Sequence, residues 1–191
     1  DLDSVRRHRK QYQHRRQIQK MKVVTLVGYT NAGKSALLTR ITKTPTLSEN
    51  RLFSTLDPLT RRVNLPSGPT ILITDTVGFI QKLPSQLLAA FRATLEELQE
   101  STVIAHVVDS NNNNTIGQIA IVEEILEELN LHNKSRILIL NKIDLVTTEY
   151  LHQITKDIGP NRGVGPIFTS ATTGLGIKTL LMSIERALST S

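Results

Sequence analysis

Apolar residues occur in two kinds of run along this chain. Short, continuously apolar runs rich in β-branched residues span residues 22–28, 70–75, 102–109, 136–141 and 166–170. Runs that are apolar on both faces are typical of parallel strands covered by helices on each side. Between them, apolar residues recur at the three-to-four-residue spacing of amphipathic helices. These helical sets are Leu83, Leu87, Leu88, Phe91, Leu95 and Leu98; Ile116, Ile119, Val122, Ile125, Leu126 and Leu129; and Ile177, Leu180, Leu181, Ile184 and Leu188.

One further segment has a different pattern. Apolar and polar residues alternate over residues 60–66, which indicates an edge strand, and the turn sequence PSGP follows it. Together the runs predict an α/β fold with a mostly parallel six-stranded sheet, helices on both faces and one antiparallel edge strand. Residues 43–59 have little periodicity, and a connection of that length in a compact domain is often functional.

Length and composition narrow the class of protein. The 191 residues suit one domain, and the chain has no cysteine, so disulfides and cysteine-ligated metals are excluded. No apolar run approaches the roughly 18 residues of a membrane span, and we expect a soluble protein.

The net charge of +6 is concentrated at one end of the chain. Residues 1–20 form a basic linker or helix end, and residues 21–191 form the domain. The basic segment suits either a solvated helix or linker, or an arm that contacts nucleic acid by releasing counterions from phosphates. Because the chain begins at Asp1, we expect an upstream portion to be missing. The basic residues in this segment are Arg6, Arg7, Arg9, Lys10, Arg15, Arg16 and Lys20.

The sequence GYTNAGKS, from Gly28 to Ser35, fits the phosphate-binding pattern G-x-x-x-x-G-K-S. It follows an apolar strand and precedes a helix, which is the context that this motif requires. Backbone N–H groups would surround the α and β phosphates, Lys34 would reach the β and γ phosphates, and the Ser35 hydroxyl would bind Mg²⁺. Taken alone, the motif is also compatible with a glycine-rich turn that binds no phosphate.

Three later motifs, each at the end of a predicted strand, favour a GTPase over that alternative. In DTVG, Asp75 can bind Mg²⁺ through water and Gly78 can offer an N–H to the γ-phosphate. In NKID, the Asp144 carboxylate can accept hydrogen bonds from the N1–H and 2-amino group of guanine, and adenine lacks that donor pair. In SAT, the backbone N–H of Ala171 would reach the guanine O6. The four motifs together predict GTP as the ligand, bound at the carboxyl ends of the strands.

The chain also resembles the GTPase domain of the HflX family. The resemblance rests on GYTNAGKS, on LFSTLDPLTR (residues 52–61), on DTVGFIQKLPSQLLAAFRATLEEL (residues 75–98), and on HVVDS and NKIDL. It implies a P-loop GTPase of the translation-factor class that associates with the large ribosomal subunit and ribosomal RNA and helps to separate stalled or stressed ribosomes. It also implies that Thr55 coordinates Mg²⁺ and senses the γ-phosphate, so that nucleotide state controls partner affinity.

The motifs and the resemblance together give a set of expected site residues. The residues expected to act in catalysis are Asn31, Lys34, Thr55 and Gly78. The expected Mg²⁺ ligands are Ser35, Thr55 and Asp75. The expected nucleotide-binding residues are Gly28, Tyr29, Thr30, Asn31, Ala32, Gly33, Lys34, Ser35, Ala36, Phe53, Ser54, Thr55, Leu56, Asp57, Asp75, Thr76, Val77, Gly78, Asn141, Lys142, Asp144, Ser170, Ala171 and Thr172.

Three positions raise questions about catalysis. Phe79 stands where Ras-like proteins have the glutamine that orients the attacking water, so we expect slow hydrolysis by the isolated protein; alternatively, Phe79 only packs beneath the switch. Asn31 occupies the position that coordinates K⁺ in related potassium-responsive GTPases, or else it tolerates an unusual loop backbone. Ala36 replaces a threonine common in the family, and we expect somewhat weaker nucleotide binding.

We therefore predict a slow, monomeric, ribosome-associated GTPase with Mg²⁺ and a candidate K⁺ site. The expected location is the cytoplasm, with an organellar stroma or matrix as the alternative. Two other functions stay open: an interaction module regulated by nucleotide with negligible hydrolysis, and a GTPase of RNA modification or ribosome assembly.

Overall fold

The computed structural model describes residues 21–43, 59–76, 98–131, 133–159 and 165–190. These residues form six strands, four helices and one 3₁₀ turn, Ile143–Leu145. The strands are β1 Val23–Val27, β2 Leu59–Asn64, β3 Thr70–Asp75, β4 Val103–Asp109, β5 Ser135–Asn141 and β6 Ile167–Phe168. The helices are α1 Lys34–Thr42, α2 Thr115–Glu128, α3 Thr148–Ile158 and α4 Ile177–Ser189.

The strands form one sheet in the order β2-β3-β1-β4-β5-β6. Strand β2 pairs antiparallel with β3, and the other described pairings are parallel. The predicted fold class, with its antiparallel edge strand, is confirmed. Strands β1, β3, β5 and β6 all end on the same side of the sheet, so the loops that follow them lie along one edge.

Side chains alternate between the two faces of the sheet, and each face has its own core. In β5, Ile137 and Ile139 pack in the same cluster as Leu180 and Ile184 of α4. Leu138 and Leu140 point the other way and pack with Ile154 of α3. This arrangement explains why β5 is apolar at consecutive positions.

The predicted helical sets had different outcomes. The sets beginning at Ile116 and Ile177 form α2 and α4, whose most buried apolar residues lie on the faces against the sheet. The set from Leu83 to Leu98 lies outside the described residues except at its end, where residues 98–100 are helical. Helix α3 was missed; of its residues only Ile154 is buried, so the apolar signal is weak.

The last strand is shorter than the predicted segment 166–170. Only Ile167 and Phe168 form β6, and they pair with Ile139 and Leu140 of β5. The chain then leaves the strand, because the N–H of Ser170 donates to the carbonyl of Leu175 within the following loop.

A buried polar cluster joins β4 and β5 to helix α2. His106 of β4 is 2% exposed, and its Nδ1 lies 3.5 Å from the carboxylate of Glu123 in α2. The same carboxylate pairs with Arg136 of β5. Burial lowers the pKa of His106, although the nearby carboxylate of Glu123 opposes that shift. Across the described ranges, no helix combines the length and the apolar character needed to cross a membrane.

Candidate nucleotide-binding site

The loop from Gly28 to Gly33 joins β1 to α1 and requires glycine at both ends. Gly28 has a φ of 149°, and a Cβ there would lie 2.1 Å from the carbonyl oxygen of Val107. Gly33 has a φ of 93°, and a Cβ there would lie 2.3 Å from Nδ2 of Asn141. A side chain at either position would be strained and would collide with its neighbour. The loop therefore packs tightly against both β4 and the end of β5.

Asn31 lies at the exposed crest of this loop. Its φ is 63°, in the left-handed region that asparagine tolerates better than most residues. The turn is closed by a hydrogen bond of 3.2 Å from the Ala32 N–H to the Tyr29 carbonyl. This φ agrees with the explanation that asparagine occurs here because it tolerates an unusual loop backbone.

Lys34 opens helix α1 and is almost completely buried, with 6% exposed. Its Nζ donates to the carbonyls of Gly28, at 3.2 Å, and Tyr29, at 3.1 Å. Burial lowers the pKa of Lys34 to about 8, and the charge of Asp75 opposes that shift. A cation removed from water in this way interacts strongly with an anion that enters the loop, because the local dielectric constant is low.

Ser35 and Asp75 meet at the ends of α1 and β3. The Ser35 hydroxyl donates to the Asp75 carboxylate, which is fully buried. A hydroxyl and a carboxylate are hard oxygen ligands, so this pair fits the ligand chemistry of Mg²⁺. Thr76 follows on, and its hydroxyl donates to the Leu26 carbonyl at 2.7 Å, which fixes the end of β3 against β1.

Asn141, at the end of β5, connects three segments of the site. Its Nδ2 donates to the Ala32 carbonyl of the phosphate loop at 3.0 Å. Its Oδ1 accepts from the hydroxyl of Thr169 and from the N–H of Ala171, each at 3.2 Å. The residue is 1% exposed, so these bonds form away from water. The asparagine of NKID therefore joins GYTNAGKS directly to SAT.

The rest of NKID turns outward. Lys142 has a φ of 63°, and its Nζ lies 2.6 Å from the carboxylate of Asp109 at the end of β4. Asp144 lies in the 3₁₀ turn with its side chain exposed at the edge of the sheet. An exposed carboxylate is accessible to a base edge that approaches from solvent. Ala36 lies in the first turn of α1 and is half-buried.

The SAT loop is closed by its own backbone and by a residue that the motifs did not identify. The Gly174 N–H donates to the Ser170 carbonyl at 2.8 Å, and the Thr173 N–H donates to the Ser170 hydroxyl at 3.0 Å. Arg40 of α1 donates to the carbonyls of Ala171, at 2.8 Å, and Thr172. In the sequence, Arg40 is one basic residue near a helix end, and nothing in its spacing links it to this loop.

The structure brings the described site residues together along one edge of the sheet. Some expected residues lie outside the described ranges, and their roles stay predictions. These are Phe53, Ser54, Thr55, Leu56, Asp57, Val77, Gly78 and, among the departures, Phe79.

Comparison with known proteins identifies the family. Residues 23–142 match the family described as 50S ribosome-binding GTPase. The chain belongs to this family. It is 44% identical over 187 residues to the GTPase HflX of Alkalihalophilus pseudofirmus, covering 98% of this chain and 42% of that protein. The resemblance to the HflX GTPases is thereby confirmed, and the chain spans about two fifths of the length of that relative.

Solved structures show the same fold. A tyrosine-to-alanine variant of Era from Aquifex aeolicus, bound to GDP and AlF₄⁻, superposes with a TM-score of 0.71 at 25% identity. The match covers 88% of this chain and 57% of that one. A second Era structure, in complex with MgGDPNP and a segment of 16S ribosomal RNA, gives a TM-score of 0.71 at 25% identity and covers 87% of this chain and 57% of that one.

Proposed function

We propose that this chain is the GTPase domain of a switch protein that binds GTP with Mg²⁺ and hydrolyses it to GDP and phosphate. The main support is the position of Asn141, whose side chain bonds to both the phosphate loop and the SAT loop. These bonds hold a phosphate-binding segment and a guanine-binding segment in one rigid arrangement. A purely structural turn would not need both.

The described residues divide the work of binding. Lys34, whose Nζ lies within the loop, would reach the β and γ phosphates, and backbone N–H groups of the loop would add donors at the start of α1. Asp144 accepts from the guanine N1–H and 2-amino group, and Ala171 offers its N–H to O6. Ser35 and Asp75 would hold Mg²⁺, the serine directly and the aspartate through water. When bound, Mg²⁺ neutralises charge on the β and γ oxygens.

Hydrolysis by the isolated protein should be slow. Without a glutamine at position 79 to orient the water, we expect a rate at or below the roughly 10⁻⁴ to 10⁻³ per second of unassisted Ras-type enzymes. Single-turnover assays with and without large ribosomal subunits test this prediction. A rate that subunits increase supports a partner-assisted switch, whereas no hydrolysis in either condition supports an interaction module regulated by binding alone.

The proposed partner is the large ribosomal subunit, and the proposed role is separation of stalled ribosomes. The family description supports the proposed partner, and the role in separating ribosomes is what the resemblance to HflX implies. Cosedimentation of the full-length protein with large subunits, under a GTP analogue and under GDP, tests it directly. Equal binding in the two nucleotide states would contradict a switch.

A K⁺ ion near the phosphates is the second part of the proposal. Asn31 is exposed at the loop crest, where its carboxamide oxygen could coordinate a cation beside the nucleotide. Asn31→Gly is the informative variant, because glycine accepts the φ of 63° and removes only the carboxamide. Hydrolysis should be several-fold faster in KCl than in NaCl for the unmodified protein and equal in both salts for Asn31→Gly. Equal rates in the unmodified protein would refute the K⁺ site and leave the conformational explanation of Asn31.

A further inference from the structure

Arg40 makes a forked contact with the SAT loop. It lies in the last turn of α1, and its Nε donates to the Ala171 carbonyl at 2.8 Å while Nη2 donates to the Thr172 carbonyl. The guanidinium also lies under Gly174, where an added Cβ would be 3.4 Å from its Cζ. One planar group thus contacts both ends of the short turn.

The loop needs such an anchor because the sheet holds little of it. Strand β6 has two residues, and its ladder with β5 ends at Phe168. Beyond that point Asn141 holds the Ala171 N–H from inside, and Arg40 holds the next two carbonyls from outside. A guanidinium fixes two acceptors in one plane, so it sets the orientation of adjacent peptide groups more firmly than a single donor could.

We propose that Arg40 is a positioning residue for base recognition, holding the SAT loop so that the Ala171 N–H, which donates to Asn141 Oδ1 at 3.2 Å in this structure, is shared with the O6 of a bound guanine nucleotide. This inference rests on the proposed GTP-binding function. Helix α1 would then act at both parts of the nucleotide. Lys34 and Ser35 in its first turn would bind the phosphates and Mg²⁺, and Arg40 in its last turn would position the loop that contacts the base. Loss of Arg40 should then affect nucleotides that carry O6 and leave those that lack it nearly unchanged.

The test compares two ligands, GDP and the diphosphate of 2-aminopurine riboside, which keeps the 2-amino group but has neither O6 nor the N1–H. Its weaker contact with Asp144 is the same in every Arg40 variant, so only the change between variants is compared. For Arg40→Gln we expect GDP to bind about tenfold more weakly, the loss of about one charge-assisted hydrogen bond. The 2-aminopurine nucleotide should change by less than about twofold, because the affected contact is absent from it. Arg40→Lys, which keeps the charge without the fork, should fall between, and it serves as the test variant if Arg40→Gln does not fold.

Exposed Arg62 of β2, at the opposite edge of the sheet, provides the matched control, and Arg62→Ala should bind both ligands normally. An equal loss for both ligands in Arg40→Gln, or an unchanged affinity for GDP, would overturn the positioning role. If the unmodified protein does not bind GDP at all, the proposed function fails. If the unmodified protein binds GDP, and the Arg40 variants have the same ratio of GDP affinity to 2-aminopurine nucleotide affinity, only the inference about Arg40 fails.

Discussion

The proposed site has two ends, a phosphate end formed by residues 28–35 with Asp75 and a base end formed by Asp144 and the SAT loop, and they hold their polar groups by different means. At the phosphate end, the charged groups are buried and contact partners inside the protein: Lys34 bonds to loop carbonyls, and Ser35 bonds to the carboxylate of Asp75. At the base end, the interior bonds go mainly to backbone groups, and the carboxylate of Asp144 is exposed. The buried charges suit strong binding of any polyphosphate, whereas the exposed carboxylate suits selection among bases.

This difference separates the affinity for nucleotides in general from the selectivity among bases. A buried cation interacts with phosphate through charge, which every nucleoside diphosphate carries. Discrimination among bases instead requires donors and acceptors matched to one base edge. Substitutions at the two ends should therefore give different patterns across ligands, beyond any difference in the size of their effects.

The largest effect should come from Asp144→Asn. An asparagine amide can donate to the C2 carbonyl of xanthine but loses the charge that accepts from guanine, so the preferred ligand should change from GDP to XDP. We expect GDP affinity to fall roughly 10²- to 10³-fold, less than for a fully buried site because Asp144 is exposed. Equilibrium binding of both nucleotides measures this change, and an equal loss for GDP and XDP would contradict a base-selecting role.

Lys34→Met should give the opposite pattern. Methionine fills similar space without charge, so GDP and XDP should both bind roughly 10²-fold more weakly, with their ratio unchanged. The free energy of unfolding of the protein without nucleotide should change little, because removal of a cation whose burial lowers its pKa to about 8 is offset by the loss of its hydrogen bonds to the Gly28 and Tyr29 carbonyls. Exposed Lys178, changed to methionine, is the control for loss of charge alone. A change in the GDP-to-XDP ratio would show that the two ends are not separable.

Asn141→Ala tests the connection between the two ends. The change leaves the Ala32 carbonyl, the Thr169 hydroxyl and the Ala171 N–H without their buried partner. We expect a loss of about 2 to 3 kcal/mol in the free energy of unfolding, measured by urea titration, together with weaker GDP binding. Asn113→Ala, in an exposed turn, should have little effect on either quantity. Unchanged stability would mean that the two ends are held together by other contacts.

The smallest effect concerns His106, which belongs to neither end. Its pKa in the folded protein is lowered by burial, so as the pH falls below about 6.5 the unfolded chain takes up the proton first and unfolding is favoured. Glu123 of α2 and Arg136 of β5 face it, and Lys34 of α1 adds a further lowering of its pKa. Between pH 7.5 and 5.5 we expect a loss of about 1 kcal/mol, absent in His106→Gln.

Urea titrations of the unmodified protein and of His106→Gln at the two pH values measure that difference. His152→Gln, at an exposed position of α3, should keep the full pH dependence. The same dependence in His106→Gln would place its origin elsewhere. GDP affinity at pH 7.5 should not change in either variant, which would keep this cluster separate from both ends of the site.

The sequence predicted most of this architecture because the strands carry a strong and simple signal. Strand β5 is apolar at consecutive positions since both of its faces are covered, and such runs are difficult to mistake. Helix α3 was missed because it buries little, and β6 was predicted too long because Thr169 and Ser170, although buried, belong to the following loop and not to the pairing with β5. The pattern of apolar residues in a sequence predicts which residues are buried better than it predicts which backbone groups form hydrogen bonds.

For the site, the motifs identified the residues that would touch a ligand but not the contacts that hold those residues in place. Gly28, Lys34 and Asp144 are recognisable because their spacing is set by the ligand. The bonds of Arg40 to the SAT loop and of Asn141 to Ala32 join residues 131 and 109 positions apart in the chain. No local spacing encodes such contacts, because they depend on how α1, β5 and the last loop pack together.

The two-residue length of β6 has a consequence for solubility. An edge strand presents unpaired N–H and C=O groups that can recruit a strand from another molecule, and long, flat edges promote aggregation. Among the described residues at the β6 edge, only Ile167 and Phe168 adopt strand geometry, and at the opposite edge β2 carries Arg61 and Arg62. The sheet is thus poorly suited to extension at either side. The SAT loop can therefore lie at an open edge of the sheet without making that edge a template for self-association.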